Sequence, residues 1–205
     1  MSFSKWLRIA PATFFLVLLA SDATALTVPI LPDPYLSSAT SAPGTINITP
    51  GGHGLSLADE GLTVQVTIVD TGGMPVPSFP FMDLWLDDSG TGDISLCPNG
   101  CVADTDTDAN GRTTISRAAC GGGWTVSGLR VWIAGDPIMG TPALDINVNS
   151  PDLNGDLVVD ILDLANFAID YADPTYNFRS DMTCDGIENI ADIGEFAMHY
   201  GETCP

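Results

Sequence analysis

Oxygen-bearing side chains recur at one spacing in two stretches of this sequence. In Asp152–Asp163, DLNGDLVVDILD, they fall at positions 1, 3, 5, 9 and 12: Asp152, Asn154, Asp156, Asp160 and Asp163. Position 7 adds the backbone carbonyl of Val158. In Asp181–Asp192, DMTCDGIENIAD, the same places hold Asp181, Thr183, Asp185, the Ile187 carbonyl, Asn189 and Asp192. A hard cation such as Ca2+ takes about six to eight oxygen ligands, and a twelve-residue loop of this spacing can wrap them around one centre. The expectation is two Ca2+ sites, with Thr183 the weaker donor of its set.

The two stretches are copies. An offset of 29 residues carries Asp152 onto Asp181, Asp156 onto Asp185 and Asp163 onto Asp192. The same offset carries Ile161 onto Ile190, Leu164 onto Ile193, Phe167 onto Phe196, Ala168 onto Ala197 and Tyr171 onto Tyr200. Both a carboxylate spacing and an apolar stripe repeat, which marks a duplicated loop-plus-helix unit.

Other chemistry is thinner. Asp104, Asp106 and Asp108 alternate along one stretch and form a candidate third cation site, set against the commoner reading of a solvated strand edge. Asp83 and Asp87 flank Trp85, the ingredients of glycoside hydrolysis. A strand with one polar face explains them without catalysis. Trp85, Trp124 and Trp132 could stack on sugar rings, although core or sheet-face aromatics are the plainer reading. His53 and His199 stand without a Cys or Ser at triad-like spacing, so no catalytic residue is assigned and the chain is read as non-enzymatic.

Elements must position these groups. Ile161, Leu164, Phe167, Ala168 and Tyr171 recur at helical steps after the first loop; Ile190, Ile193, Phe196, Ala197 and Tyr200 do so after the second. Two such stripes are expected to bury each other. Upstream the texture is β. Thr45–Thr49 and Leu62–Asp70 alternate, and Met82–Leu86, Asp93–Cys97, Thr113–Arg117, Leu129–Ala134 and Ala143–Val148 are further strand candidates between Gly, Pro and Asp turns. The fold class expected is mainly β with a small α unit: an antiparallel sandwich, then the paired loop-helix units.

The boundaries follow. Residues 1–25 read as a signal peptide: Lys5 and Arg8 precede an apolar run, and Ala23-Thr24-Ala25 is a small-x-small cleavage site. Residues 26–44, rich in Pro, Ser, Ala and Thr, read as a linker or N-terminal arm. Residues 45–149 form the β domain and 150–205 the metal-binding module. Export implies a secreted or surface location, with no membrane span once the leader is removed. A net charge of −20 disfavours nucleic acid and anionic membranes and favours divalent cations. Twelve acids follow residue 150, opposed there only by Arg179.

Five cysteines, Cys97, Cys101, Cys120, Cys184 and Cys204, suit an oxidising compartment. Cys184–Cys204 is expected to tie loop 2 to the tail, with Cys120 pairing to Cys97 or Cys101. Cys97-x-x-x-Cys101 lacks the second ligand pair that zinc needs.

Residues 45–149 resemble bacterial Ig-like domains of the invasin/intimin type. The likeness rests on Val64-x-Val66-x-Ile68-x-Asp70-Thr71-Gly72-Gly73-Met74-Pro75-Val76-Pro77 and on Thr107-Asp108-Ala109-Asn110-Gly111-Arg112-Thr113-Thr114. It implies a spacer or adhesive module. The cysteines and Gly121-Gly122-Gly123-Trp124 depart from that pattern.

Residues 151–204 resemble the type I dockerin module, a pair of half EF-hands, in which Asp stands at position 12 of each loop. The ligand positions above match that family's pattern. Leu157 stands at position 6, where Gly is usual, and Glu188 at position 8, usually apolar. The family commonly reads its cohesin partner with Ser-Thr at positions 10–11 and Lys-Arg at 17–18. Here those places hold Ile161-Leu162 and Ala168-Ile169, then Ile190-Ala191 and Ala197-Met198. The resemblance implies calcium-dependent docking onto a protein, either cohesin-like or the chain's own Ig-like domain. The alternative is a carbohydrate-binding or small hydrolase subunit of an extracellular polysaccharide-degrading complex.

Overall fold

A computed structural model describes residues 30–88 and 93–205. The expected signal peptide lies outside the described residues. The chain is mainly β, with ten short strands in four small sheets and two α-helices among the described residues. The strands are β1 (Ser38–Thr40), β2 (Gly44–Asn47), β3 (Val64–Thr67), β4 (Leu84–Asp88), β5 (Asp93–Leu96), β6 (Arg112–Ile115), β7 (Gly121–Trp124), β8 (Leu129–Ile133), β9 (Asp136–Pro137) and β10 (Ile146–Asn149). The helices are α1 (Ile161–Ala172) and α2 (Ile190–His199).

Alternation drives the sheets. In β3, Val64 and Val66 are buried while Gln65 is exposed; in β4, Leu84 and Leu86 are buried around a half-buried Trp85. β4 pairs antiparallel with β8 in the register Leu84↔Ile133, Trp85↔Trp132, Leu86↔Val131, so each aliphatic faces an aliphatic and each indole an indole. The strand order is β1-β3-β6, β4-β8-β9, β5-β7 and β10-β2.

Three findings depart from the sequence reading. β10 runs parallel to β2, so the pairing is not wholly antiparallel. Ser38–Thr40, within the stretch expected as an arm, forms β1 against β3, with Ala39 buried. Gly121–Trp124 is β7, paired to β5 although three of its four residues are glycines. Close approach explains that composition. A Cβ on Gly121 would press on the Ser95 carbonyl and Leu96, and one on Gly122 would overlap the Asp152 carboxylate.

Two separate buried clusters result among the described residues. One joins aliphatics of the strands, among them Ile46, Val64, Leu84, Ile115, Val131 and Ile146. The other is small: Leu153, Val159, Phe167, Met182 and Phe196, with Leu164 and Ile193 packed against it. The helical stripe is therefore narrower than expected. Phe167 and Phe196 are buried, whereas Ile161, Ala168 and Tyr171, and likewise Ile190, Ala197 and Tyr200, are exposed. The inward face of α1 holds Asp163 and Asp170 beside Phe167.

Candidate metal loops and their seat on the β region

The two loops are built by one hydrogen-bond scheme used twice. In loop 1 the Asp152 carboxylate accepts from the amides of Asp156 (3.2 Å) and Leu157 (2.7 Å). In loop 2 the Asp181 carboxylate accepts from those of Asp185 (3.1 Å) and Gly186 (2.8 Å). Position 12 closes each loop from the other side. Asp163 accepts from the amides of Asn154 (3.1 Å) and Asp160 (2.8 Å); Asp192 accepts from those of Thr183 (3.0 Å) and Asn189 (2.7 Å). Position 5 folds over position 7: Asp156 takes the Val158 amide and Asp185 the Ile187 amide.

The same residues start the helices. Asp160 and Asn189 are the N-caps of α1 and α2, accepting from Leu162 N and Ala191 N at 2.7 Å each, while Asp163 and Asp192 complete the capping boxes. Positions 9 and 12 thus set the loop and the first helical turn together.

Each loop turns through two left-handed residues, at positions 4 and 6. They are Gly155 (φ 68°) and Leu157 (φ 70°) in loop 1, and Cys184 (φ 56°) and Gly186 (φ 84°) in loop 2. Only one place in each loop has the glycine that suits it.

Positions 1 and 12 of both loops, Asp152, Asp163, Asp181 and Asp192, are buried, while Asn154, Asp156, Thr183 and Asp185 are exposed. Val158, Asp160 and Asn189 are half-buried and Ile187 is exposed. Burial pushes the Asp152 carboxyl up to about 6; the Leu157 and Asp156 amides oppose the rise, and the Asp163 and Asp156 charges add to it. Burial raises Asp163 as well, against the amides of Asp160 and Asn154. Among the described residues, no group of three or more His, Cys, Asp or Glu side chains is gathered as a metal centre on those ligand types. Asn154, Thr183, Asn189 and the two carbonyls lie outside those types.

The helical unit sits against the β region through its loops and tail. Gly123 N donates to the Asp152 carbonyl (2.6 Å). The buried Asn149 side chain donates to the carbonyls of Asp181 and Phe178, and Asn47 donates to that of Met182 (2.9 Å). Glu202 forms a latch: its carboxylate takes the Gly51 amide (3.1 Å) and bonds the rings of His53 and His199, each at 2.9 Å. Burial alone would raise Glu202, but His199, His53 and Thr49 hold it down at about 2.

The covalent link differs from expectation. Cys97 is bridged to Cys204, joining the residue after β5 to the tail; Cys101, Cys120 and Cys184 are free thiols. Loop 2 is therefore not stapled to the tail, and Cys120 has no disulfide partner. The 29-residue repeat has no cysteine matching Cys184 in loop 1, and nothing local in the sequence singles out Cys97.

Residues at positions 10, 11, 17 and 18 are not buried against the β region. Ile161, Leu162, Ala168 and Ile169 are exposed, as are Ile190 (75 %), Ala191, Ala197 and Met198 (70 %). The intramolecular contact is made by loop ends and tail instead.

Asp104, Asp106 and Asp108 are each engaged by a different part of the chain. Asp104 meets Thr114, Ser116 and Arg117; Asp106 takes the Phe81 amide; Asp108 takes the amides of Asn110 and Arg112 and so ties the Asn110-Gly111 turn. Asp83 ends a 3-10 turn and Asp87 lies on β4. Trp85 and Trp132 stack with centroids 6.4 Å apart, and Trp124 lines a different cleft, beside Asn154.

One pair escaped the sequence reading. Asp170, on the inward face of α1, accepts two bonds from Arg179 (2.6 and 2.8 Å) and one from the Ser180 hydroxyl (2.6 Å). Burial opposes its charge, yet these partners hold its carboxyl below the usual range. Arg179 was visible as the lone cation among twelve acids; its partner was not. The chain matches no protein-family model and no curated protein. Among the described residues no helix is long and apolar enough to cross a membrane.

Proposed function

We propose that this is an exported, non-enzymatic calcium-binding protein that serves assembly or attachment, with a dockerin-like unit following an Ig-like one. The observation that carries the reading is the hydrogen-bond scheme repeated at an offset of 29 residues, in which positions 1 and 12 turn inward on backbone amides. The donors all bear oxygen, as a hard cation requires and a thiophilic one does not. Asp152, Asn154, Asp156, the Val158 carbonyl, Asp160 and Asp163 would hold one Ca2+. Asp181, Thr183, Asp185, the Ile187 carbonyl, Asn189 and Asp192 would hold the other. The ion would supply positive charge to carboxylates that are buried in both loops. The Cys97–Cys204 bridge supports an oxidising, extracellular setting.

The exposed apolar residues of α1 and α2 are the surface such a unit would offer to a protein partner. Their character points away from the polar code of cellulosomal dockerins. Calorimetric titration of the chelator-stripped full chain with Ca2+ tests the reading. Two ions per chain are expected, and a stoichiometry near zero would sink it.

One observation favours a second reading, carbohydrate binding by the β region. Trp85, half-buried and stacked on Trp132, lines a cleft of ≈ 270 Å³ together with Asp87 and Asn99. Glycan binding lost in both Trp85→Ala and Trp132→Ala would support it, and absence of binding to any polysaccharide would remove it.

A further inference from the structure

We infer that strands β7 and β10 are working parts of the two calcium loops, so that cation binding and the seating of the helical unit are one coupled equilibrium. This rests on the calcium reading above and extends it to residues outside both loops.

The argument begins at position 1. In each loop this residue gives a buried carboxylate to the loop interior and turns its carbonyl outward to the β region. For Asp152 the carbonyl accepts from the backbone amide of Gly123, on β7. For Asp181 it accepts from the side-chain amide of Asn149, the last residue of β10. A main-chain donor and a side-chain donor, from different strands, therefore do the same task at positions 29 residues apart. Asn149 also holds the Phe178 carbonyl, fixing the approach to loop 2, and is itself fully buried.

The contact at loop 1 is also steric. The Asp152 carboxylate lies against Gly122, where any Cβ would overlap it. The glycine run of β7 thus makes room for a candidate ligand of the neighbouring unit. Without that room Asp152 would have to rotate away from the Asp156 and Leu157 amides.

A carbonyl pin fixes the backbone of position 1 and hence the aim of its carboxylate. Groups that orient a ligand without touching the ion commonly control affinity by about 10–100-fold. Coupling of this kind is reciprocal, so an ion that fixes position 1 tightens the seat by the same factor. The exposed outer faces of α1 and α2 take no part in it, which leaves them open while the loops are engaged.

The test uses the oxidised full chain, stripped with chelator and titrated with CaCl2 by calorimetry. Gly122→Ala should weaken one of two sites by about tenfold or more and leave the second unchanged; Asn149→Ala should weaken the other. Trp124, which lines a cleft with Leu153 and Asn154, reports loop 1 independently through its emission. Should either variant not fold, hydrogen exchange on the wild-type chain decides, because Ca2+ should slow exchange at 121–124 and 146–149. Zero stoichiometry in the wild type removes the calcium reading and this inference with it. Two sites of unchanged affinity in folded variants, or calcium-bound chains with unaltered exchange in β7 and β10, overturn the coupling alone.

Discussion

Leu157 and Gly186 stand at the same place in their two loops and share one left-handed backbone conformation, at φ 70° and 84°. Only glycine adopts it without a Cβ clash, and other residues lose roughly 1–2 kcal/mol there. Leu157→Gly should therefore stabilise the chain by about 0.5–1 kcal/mol in urea denaturation, less whatever packing the half-buried leucine gives up. Gly186→Leu should cost at least as much as that gain.

The Asp170–Arg179 pair should matter more than its surface location in sequence suggests. The Asp170 side chain is only 5 % exposed and that of Arg179 is 31 % exposed. Asp170→Ala removes the buried carboxylate that Arg179 and the Ser180 hydroxyl both bond, and a loss of about 2–3 kcal/mol is expected by denaturant melting. A change below about 0.5 kcal/mol would show that solvent replaces the carboxylate freely.

Glu202 gives the interface a pH dependence of known sign. Its carboxyl sits at about 2 in the folded chain against an ordinary value of 4.5, so the charged form is favoured by folding. The stabilisation is complete above pH ~4.5 and is lost as pH falls from there toward ~2. Thermal melts of the wild type and Glu202→Gln should differ most near neutrality and converge at the acid end. A gap that stays constant with pH would show that charge at this position is immaterial.

Breaking Cys97–Cys204 should destabilise the chain by about 2–4 kcal/mol, since the bridge closes a long loop, with a sequence separation of 107. Cys204→Ser should show this in urea melts under oxidising conditions. Dithiothreitol should bring the wild type to the mutant's midpoint and leave the mutant unmoved.

Some of this was legible because its signal is local. The loop spacing singles out positions 1 and 12 as candidate ligands, and alternation marks the stretches where β3 and β4 form. The structure turns Asp152, Asp163, Asp181 and Asp192 inward, each onto backbone amides. What sequence could not show was relational. β7 has no strand propensity, and its glycines make sense only once Asp152 is seen against Gly122. The apolar stripe was misplaced because Asp170 takes an inward position that hydrophobic counting gives to Tyr171. Cys184 looked like a partner for Cys204 by nearness in the chain, whereas Cys97 reaches it by packing.

The bridge between Cys97 and Cys204 also decides how the molecule would bear a pull. A pull on the exposed faces of α1 and α2 would enter the chain between the two cysteines. It would reach the strands by two covalent routes, back along the backbone before α1 and forward through Cys204 and its sulfur to Cys97. With the load shared in this way, the seat of the helical unit would not hang on its hydrogen bonds alone.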